Sequence, residues 1–120
     1  MTSEELLDRL LDFAARCGKV VDALPNRRLG RHIANQLVRS GTSPAANYAE
    51  ACAAESSRDF VHKLSIALKE LRESNVWIRL IQKAQLLPVE QLAEIDDESR
   101  QLANIIARSI LTVKQNVSPS

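Results

Sequence analysis

Gly41-Thr42-Ser43-Pro44-Ala45-Ala46-Asn47-Tyr48-Ala49-Glu50-Ala51 decides how this chain folds. The stretch sets a glycine, a proline and a run of alanines inside an otherwise helical pattern, with Asn47 and Glu50 among them. Small residues let another backbone approach closely, and a proline marks where a helix begins or bends. No polar loop separates the residues on either side of Gly41–Pro44. A helix that kinks and resumes is therefore favoured over a new helix capped by Thr42 or Ser43 with Pro44 in its first turn. Asn47 and Glu50 lie three residues apart and share one helical face.

Outward from this stretch, apolar residues recur at spacings of three and four. The first helix is expected from about Ser3 to Leu24, capped by Ser3, with Glu4, Glu5 and Asp8 near its positive end. It turns Leu6, Leu10, Phe13, Cys17, Val20 and Leu24 inward, and Leu7, Leu11, Ala14 and Val21 widen the stripe. Leu24-Pro25-Asn26 stops it, and Asn26 is the expected cap of a second helix. That helix begins near Arg27, carries Leu29, Ile33 and Leu37 inward, and fades by Ala54. Ser56 and Asp59 fit a capping box opening a third helix that lasts to about Leu86. Its Phe60, Leu64, Ala67, Leu71, Ser74, Ile78 and Ile81 alternate in steps of four and three, the pattern of shallow-angle bundle packing. Leu87-Pro88 ends it. Pro88, Val89 and Glu90 start the fourth, which turns Leu92, Ile95, Ser99, Leu102, Ile106, Ile110 and Val113 inward, with a frayed tail over Val117–Ser120. Four long helices with short connections run antiparallel to their neighbours. The expectation is an all-α, up-down-up-down four-helix bundle, kinked near Pro44, in a single domain spanning residues 1–120.

Composition agrees with a bundle. The chain is 45% hydrophobic but only 3% aromatic, and its apolar residues are mostly Leu, Ile, Val and Ala, whereas aromatic clusters favour strands. A net charge of +1 gives no global pull toward nucleic acid or an anionic membrane, so any electrostatic partner must meet a local patch. Cys17 and Cys52 form no CxxC and have no clustered histidines, and are expected to be reduced and buried. Met1–Glu5 is polar and acidic, unlike a signal peptide, and no apolar run approaches the ~20 residues that span a bilayer. These features read as a soluble, cytoplasmic protein.

At ~100° per residue, Arg58, Lys69, Arg72, Arg79 and Lys83 share an arc of roughly 80° on the third helix. The second helix adds Arg28, Arg31, His32 and Arg39 along one side, and Glu90, Glu94, Asp96, Asp97 and Glu98 form the acidic counterweight. The basic stripes suit phosphate contacts, with affinity that falls as salt rises. A solvated face, or salt bridges to an acidic helix, is the competing reading. Four scattered aromatics make no base-stacking platform, so recognition would be of shape and charge. A third face of the same helix carries Ile66, Trp77 and Leu80 beside Glu70 and Glu73. That is more apolar surface than one bundle hides, and it predicts an interface with another copy, the glutamates paired with arginines across it. Otherwise Trp77 only caps the core edge. Asn47, Glu50 and Asn75 are expected to form a hydrogen-bonded network fixing the kink.

Bundle metal sites need carboxylates on two helices and Glu-x-x-His pairs on the other two. Asp59-Phe60-Val61-His62 occurs once and His32 lacks an acid three residues before it, so no metal and no cofactor is expected. There is no Gly-rich phosphate loop, zincin His pair or nucleophile motif, and no enzymatic activity is expected. An enzyme built here would have to use Glu50 or Glu73.

Gly41–Ala51, followed by Ser57-Arg58-Asp59-Phe60-Val61-His62-Lys63-Leu64-Ser65-Ile66-Ala67-Leu68-Lys69-Glu70-Leu71-Arg72-Glu73-Ser74-Asn75-Val76-Trp77, resembles the four-helix-bundle proteins encoded in intervening sequences of bacterial 23S ribosomal RNA genes. Members commonly read Asn-Ile-Ala-Glu-Gly where this chain has Asn47 to Ala51. Tyr48 and Ala51 depart from that pattern, which replaces a tight glycine turn by a longer helix. The resemblance covers nearly the whole chain. It implies an antiparallel bundle assembling into a ring, a pentamer, with no established enzymatic activity. The family is also similar to accessory proteins of diversity-generating retroelements, basic barrels that work with a reverse transcriptase and its RNA. The combined expectation is a homo-oligomeric binding or scaffolding module for structured RNA or a ribonucleoprotein, with a protein-only oligomeric adaptor as the alternative.

Overall fold

The computed structural model describes residues 1–116, and the tail expected to fray lies outside them. Its elements are α1 (Ser3–Ala23), α2 (Arg28–Cys52), α3 (Ser57–Lys83), a 3-10 turn over Val89–Gln91, and α4 (Ala93–Asn116). Consecutive helices pack on each other, and α1 meets α4 more sparsely. Arg9 meets Glu98 while Arg16 meets Glu94, and Ser40 meets Ser74 while Glu50 meets Lys63. Asn75 meets Ser99, while Phe60 lies near Val113. Rising numbers on one helix face falling numbers on the next, as an up-down-up-down bundle requires.

α2 runs unbroken through Pro44. Pro44 cannot donate to the Ser40 carbonyl and its ring presses on it, which bends a helix with intact neighbours rather than ending it. The polar residues beside it bond back into α2. Thr42 Oγ donates to the Val38 carbonyl at 2.6 Å, and Asn47 Nδ2 donates to the Ser43 carbonyl at 3.1 Å. Thr42 and Ser43 therefore start no new helix.

Helix ends follow local chemistry more closely than the apolar pattern does. Thr2, not Ser3, caps α1, its Oγ accepting from the Glu5 N–H at 3.1 Å. Arg27 occupies the cap position of α2 with no side-chain bond, while Asn26 accepts from Arg31 instead of capping. Ser56 does cap α3, accepting from the Asp59 N–H at 3.1 Å. α3 ends at Lys83, three residues before Leu86, because Gln85 enters the left-handed region at φ 56°. The Leu86 N–H then reaches the Ile81 carbonyl and the Gln85 N–H that of Gln82, the paired bonds of a Schellman motif with glutamine in the usual glycine place. Pro88-Val89-Glu90 opens the 3-10 turn rather than α4, which starts at Ala93.

The core takes Leu6, Leu10, Phe13 and Cys17 from α1, Ile33, Leu37, Ala45, Tyr48 and Ala51 from α2, and the heptad residues of α3 against Ile95, Leu102, Ile106 and Ile110 of α4. Each enclosed leucine or isoleucine contributes about 1.5–3 kcal/mol. Leu29 is exposed rather than inward, since Gly30 holds that place. A Cβ on Gly30 would lie 2.2 Å from the Pro25 carbonyl oxygen. Gly41 sits where α1 comes closest, and a Cβ there would lie 2.6 Å from Cys17 Sγ. Both cysteines are free; Cys17 is buried, but Cys52 is exposed, contrary to expectation. Burial pushes the Cys17 thiol up to about 12, with nearby Arg16 pulling the other way. Among the described residues no helix is long and apolar enough to cross a membrane.

Candidate nucleic-acid interface

α3 presents different chemistry on its two flanks. The flank toward α2 holds Glu70 and Glu73, both gripped by Arg39. Arg39 Nη1 donates to Glu70 at 2.7 Å and Nη2 donates to Glu73. Trp77 Nε1 donates to the same Glu73 at 2.9 Å, and the His32 ring stands edge-on to the indole at 5.7 Å. The glutamates thus find their arginine inside the chain, without the cross-subunit arginines anticipated for them. Trp77 and Leu80 pack against the core while remaining half-exposed, and Ile66 is half-buried on the same flank.

The opposite flank carries Arg58, Lys69, Arg72, Arg79 and Lys83, all exposed. None of the five forms an ion pair among the described residues. Three of the four acids of α4 pair with other arginines, and the fourth, Asp97, accepts from Gln101. Glu98 takes Arg9 of α1 in a two-pronged bond of 2.7 and 2.8 Å, Glu94 takes Arg16, and Asp96 takes Arg100. From Arg58 to Lys83 the stripe spans about 37 Å at 1.5 Å per residue. Arg28 and Arg31 are also exposed, but α2 packs on the other flank of α3, so they form a separate patch.

Beside the stripe, α3 and α4 leave a groove of about 300 Å³ lined by Leu71, Arg72, Asn75, Ser99, Arg100, Ala103 and Asn104. Its back wall is a closed polar network. Asn75 Nδ2 donates to Asp96 Oδ1 and to Ser99 Oγ, each at 2.8 Å, and Ser99 Oγ donates to the Asp96 carbonyl at 2.7 Å. Asp96 is only 8% exposed and holds Arg100 Nη2 at 2.8 Å. An enclosed carboxylate is costly unless paired and hydrogen-bonded, and this one is both.

Asn47, Glu50 and Asn75 do not form one network. Asn47 bonds within α2, Glu50 is exposed and pairs with Lys63 at 2.8 Å, and Asn75 belongs to the α3–α4 groove. Spacing along one helix could place Asn47 with Glu50, but not reveal which neighbour each faces. Arg100 and Asn104 escaped the sequence reading, although Asp96 and Arg100 stand four apart, the spacing at which a helix pairs opposite charges. Among the described residues no group of three or more His, Cys, Asp or Glu side chains is placed to hold a metal ion.

The chain is thus an antiparallel four-helix bundle with one helix flank left cationic. Residues 4–108 match the 23S rRNA-intervening sequence protein family, and the chain belongs to it. A crystal structure of a protein of unknown function from the S23 ribosomal protein family of Bacteroides thetaiotaomicron is similar to it at 34% identity. The match covers 88% of this chain and 97% of that one, with a TM-score of 0.82. No curated protein matches the chain.

Proposed function

We propose that this protein is a non-enzymatic binding or scaffolding module that lays the α3 stripe against the phosphate backbone of structured RNA, alone or in a ribonucleoprotein. One observation carries the reading: Arg58, Lys69, Arg72, Arg79 and Lys83 stand exposed on one flank with no ion pair among the described residues, while Glu94, Asp96 and Glu98 of α4 pair with other arginines. Surface charges gain little from isolated pairs, so leaving five like charges together costs self-repulsion without return unless a polyanion meets them. The scattered aromatics leave nothing to stack bases on, and recognition is of backbone shape and charge. The work is cytoplasmic in this reading, where such RNA resides.

Self-association is the second part of the proposal. Ile66, Trp77 and Leu80 are only partly buried on the α2 flank. Glu4, Glu5, Asp8 and Asp12 of α1 are exposed acids without an ion pair among the described residues. Charge segregated in this way suits head-to-tail contacts between copies, which close into a ring, a pentamer being the expected form. If those contacts consume the stripe, the protein is an oligomeric adaptor without RNA binding.

The test is titration of a labelled RNA hairpin at two salt concentrations, with light scattering on the same samples. With five phosphate contacts at about −0.7 to −0.9 each in log–log slope, raising salt from 50 to 200 mM weakens binding roughly a hundredfold or more. Replacing the five cations by glutamine abolishes binding without lowering the melting temperature. No binding at low salt by the native protein sinks the RNA reading, and a monomer at all concentrations sinks the ring.

A further inference from the structure

We infer that the groove between α3 and α4 is a seat for one phosphodiester group, gripped by the Arg72 and Arg100 guanidiniums with the Asn104 carboxamide at its rim. The inference rests on the phosphate-binding reading of α3 and assigns a fixed contact point within it. Three residues of the groove carry side-chain donors that are not used up inside the protein, or only partly so. Arg72 has no ion-pair partner among the described residues, and Asn104 is exposed and makes no side-chain bond there. Arg100 gives one nitrogen to Asp96, and its side chain remains 61% exposed, leaving further N–H donors for a ligand. Asn75 spends its amide hydrogens on Asp96 and Ser99, so it has no donor left for an anion and serves to hold the back wall.

Arg100 is held, not loose. Asp96 anchors it, and Asp96 is anchored by Asn75 and, at 3.5 Å, by Gln82 Nε2. A guanidinium fixed by a carboxylate that is itself fixed loses less freedom when it meets an anion. Planar guanidiniums also match phosphate oxygens in a two-pronged fork. Charge selects the kind of phosphate. Arg72 and Arg100 against Asp96 leave the groove with one net positive charge, which matches the single charge of a diester rather than the near-double charge of a monoester at neutral pH. The apolar floor of Leu71 and Ala103 favours the less hydrated diester in the same direction. Lys69, Arg79 and Lys83 on the surrounding stripe then track flanking phosphates.

Two measurements test the seat. The first compares RNA-hairpin affinity for Arg72→Gln, Asn104→Ala and Lys69→Gln, the last lying on the stripe outside the groove. A seat predicts a loss of about tenfold for Arg72→Gln and about threefold for Lys69→Gln. It also predicts about a threefold loss for Asn104→Ala with an unchanged salt slope, since no charge is removed. Native affinity in Asn104→Ala together with equal losses in the two charge variants overturns the seat while leaving RNA binding intact. The second measurement follows the Asn75 and Asn104 side-chain amide signals by NMR on adding dimethyl phosphate or inorganic phosphate. A larger response to dimethyl phosphate supports the diester seat even if RNA does not bind, which separates it from the parent reading. A larger response to inorganic phosphate, or none to either, overturns it.

Discussion

The two flanks of α3 carry side chains of opposite charge and end in opposite states. Toward α2, Glu70 and Glu73 are closed on Arg39 and Trp77, and both carboxylates have partners. Toward α4, five cations stand open, while Glu98, Glu94 and Asp96 are taken by Arg9, Arg16 and Arg100. Charge sign separates these flanks, and partner geometry decides which of them is closed. The lesson is that a net charge of +1 hides a dipolar molecule, acidic along α1 and basic along α3. What distinguishes a binding flank from a packing flank is whether its charges are already spent.

The sharpest control on that comparison is a seam closed with no charge at all. α1 and α2 meet at Gly41 against Cys17, where an added Cβ would lie 2.6 Å from Sγ and 2.8 Å from Cβ. Gly41→Ala is expected to destabilise by about 1–3 kcal/mol despite the ~1 kcal/mol that alanine gains in a helix interior. Combining it with Cys17→Ala should recover part of the loss, because the clash needs both partners. Denaturant melts of the four proteins read the coupling. An unchanged midpoint in Gly41→Ala means the seam has slack, and the contrast between steric and ionic closure fails.

Much of this was legible in the chain. Alternating steps of four and three from Phe60 to Ile81 placed the inner face of α3, and every one of those residues from Leu64 onward is buried. Gly41 and Pro44 within the opening stretch marked a tight contact with α1 and a helix that continues through its proline. What escaped was information that lives between helices. Leu29 lost its inward place because the α1–α2 turn leaves room only for Gly30 there. The Asn47–Glu50–Asn75 network dissolved because side chains bond to what they face across a seam, and periodicity does not fix that. Arg39 was read as part of a basic stripe, yet it turns to Glu70 and Glu73, and this one residue decides that the α2 flank is closed. The Schellman end at Gln85 was invisible because glycine, its usual signal, is absent.

The same α1–α2 seam supplies a pH-dependent test. Cys17 titrates near 9.0 when unfolded and is pushed up to about 12 by burial in the fold. The unfolded chain therefore loses this proton first. Stability attached to the thiol is fully present below pH 9 and is lost as pH rises toward 12, at about 1.4 kcal/mol per pH unit. Tyr48, pushed up to about 12 by burial and by its hydrogen bond with Cys52, adds to the loss above pH 10. Urea melts between pH 9 and 10 should show the steep slope in the native protein and a flatter one in Cys17→Ala. Equal slopes mean that water reaches the thiol and that the uncharged seam is not sealed.

The smallest effect is expected where the charges are already paired. Arg39 is about half exposed, so its bonds to Glu70 and Glu73 are screened, and a double-mutant cycle of Arg39→Ala with Glu73→Ala should return about 0.5–1 kcal/mol. Trp77 gives a second readout on the same residues, because its indole N–H loses its acceptor when Glu73 goes. Its emission should shift in Glu73→Ala and change little in Arg39→Ala. RNA affinity should be nearly indifferent to the pair, since removing one positive and one negative charge leaves the α4 flank as it was. A large affinity loss in the double variant would join the two flanks into one surface, and the division of α3 into a spent side and an open side would have to be abandoned.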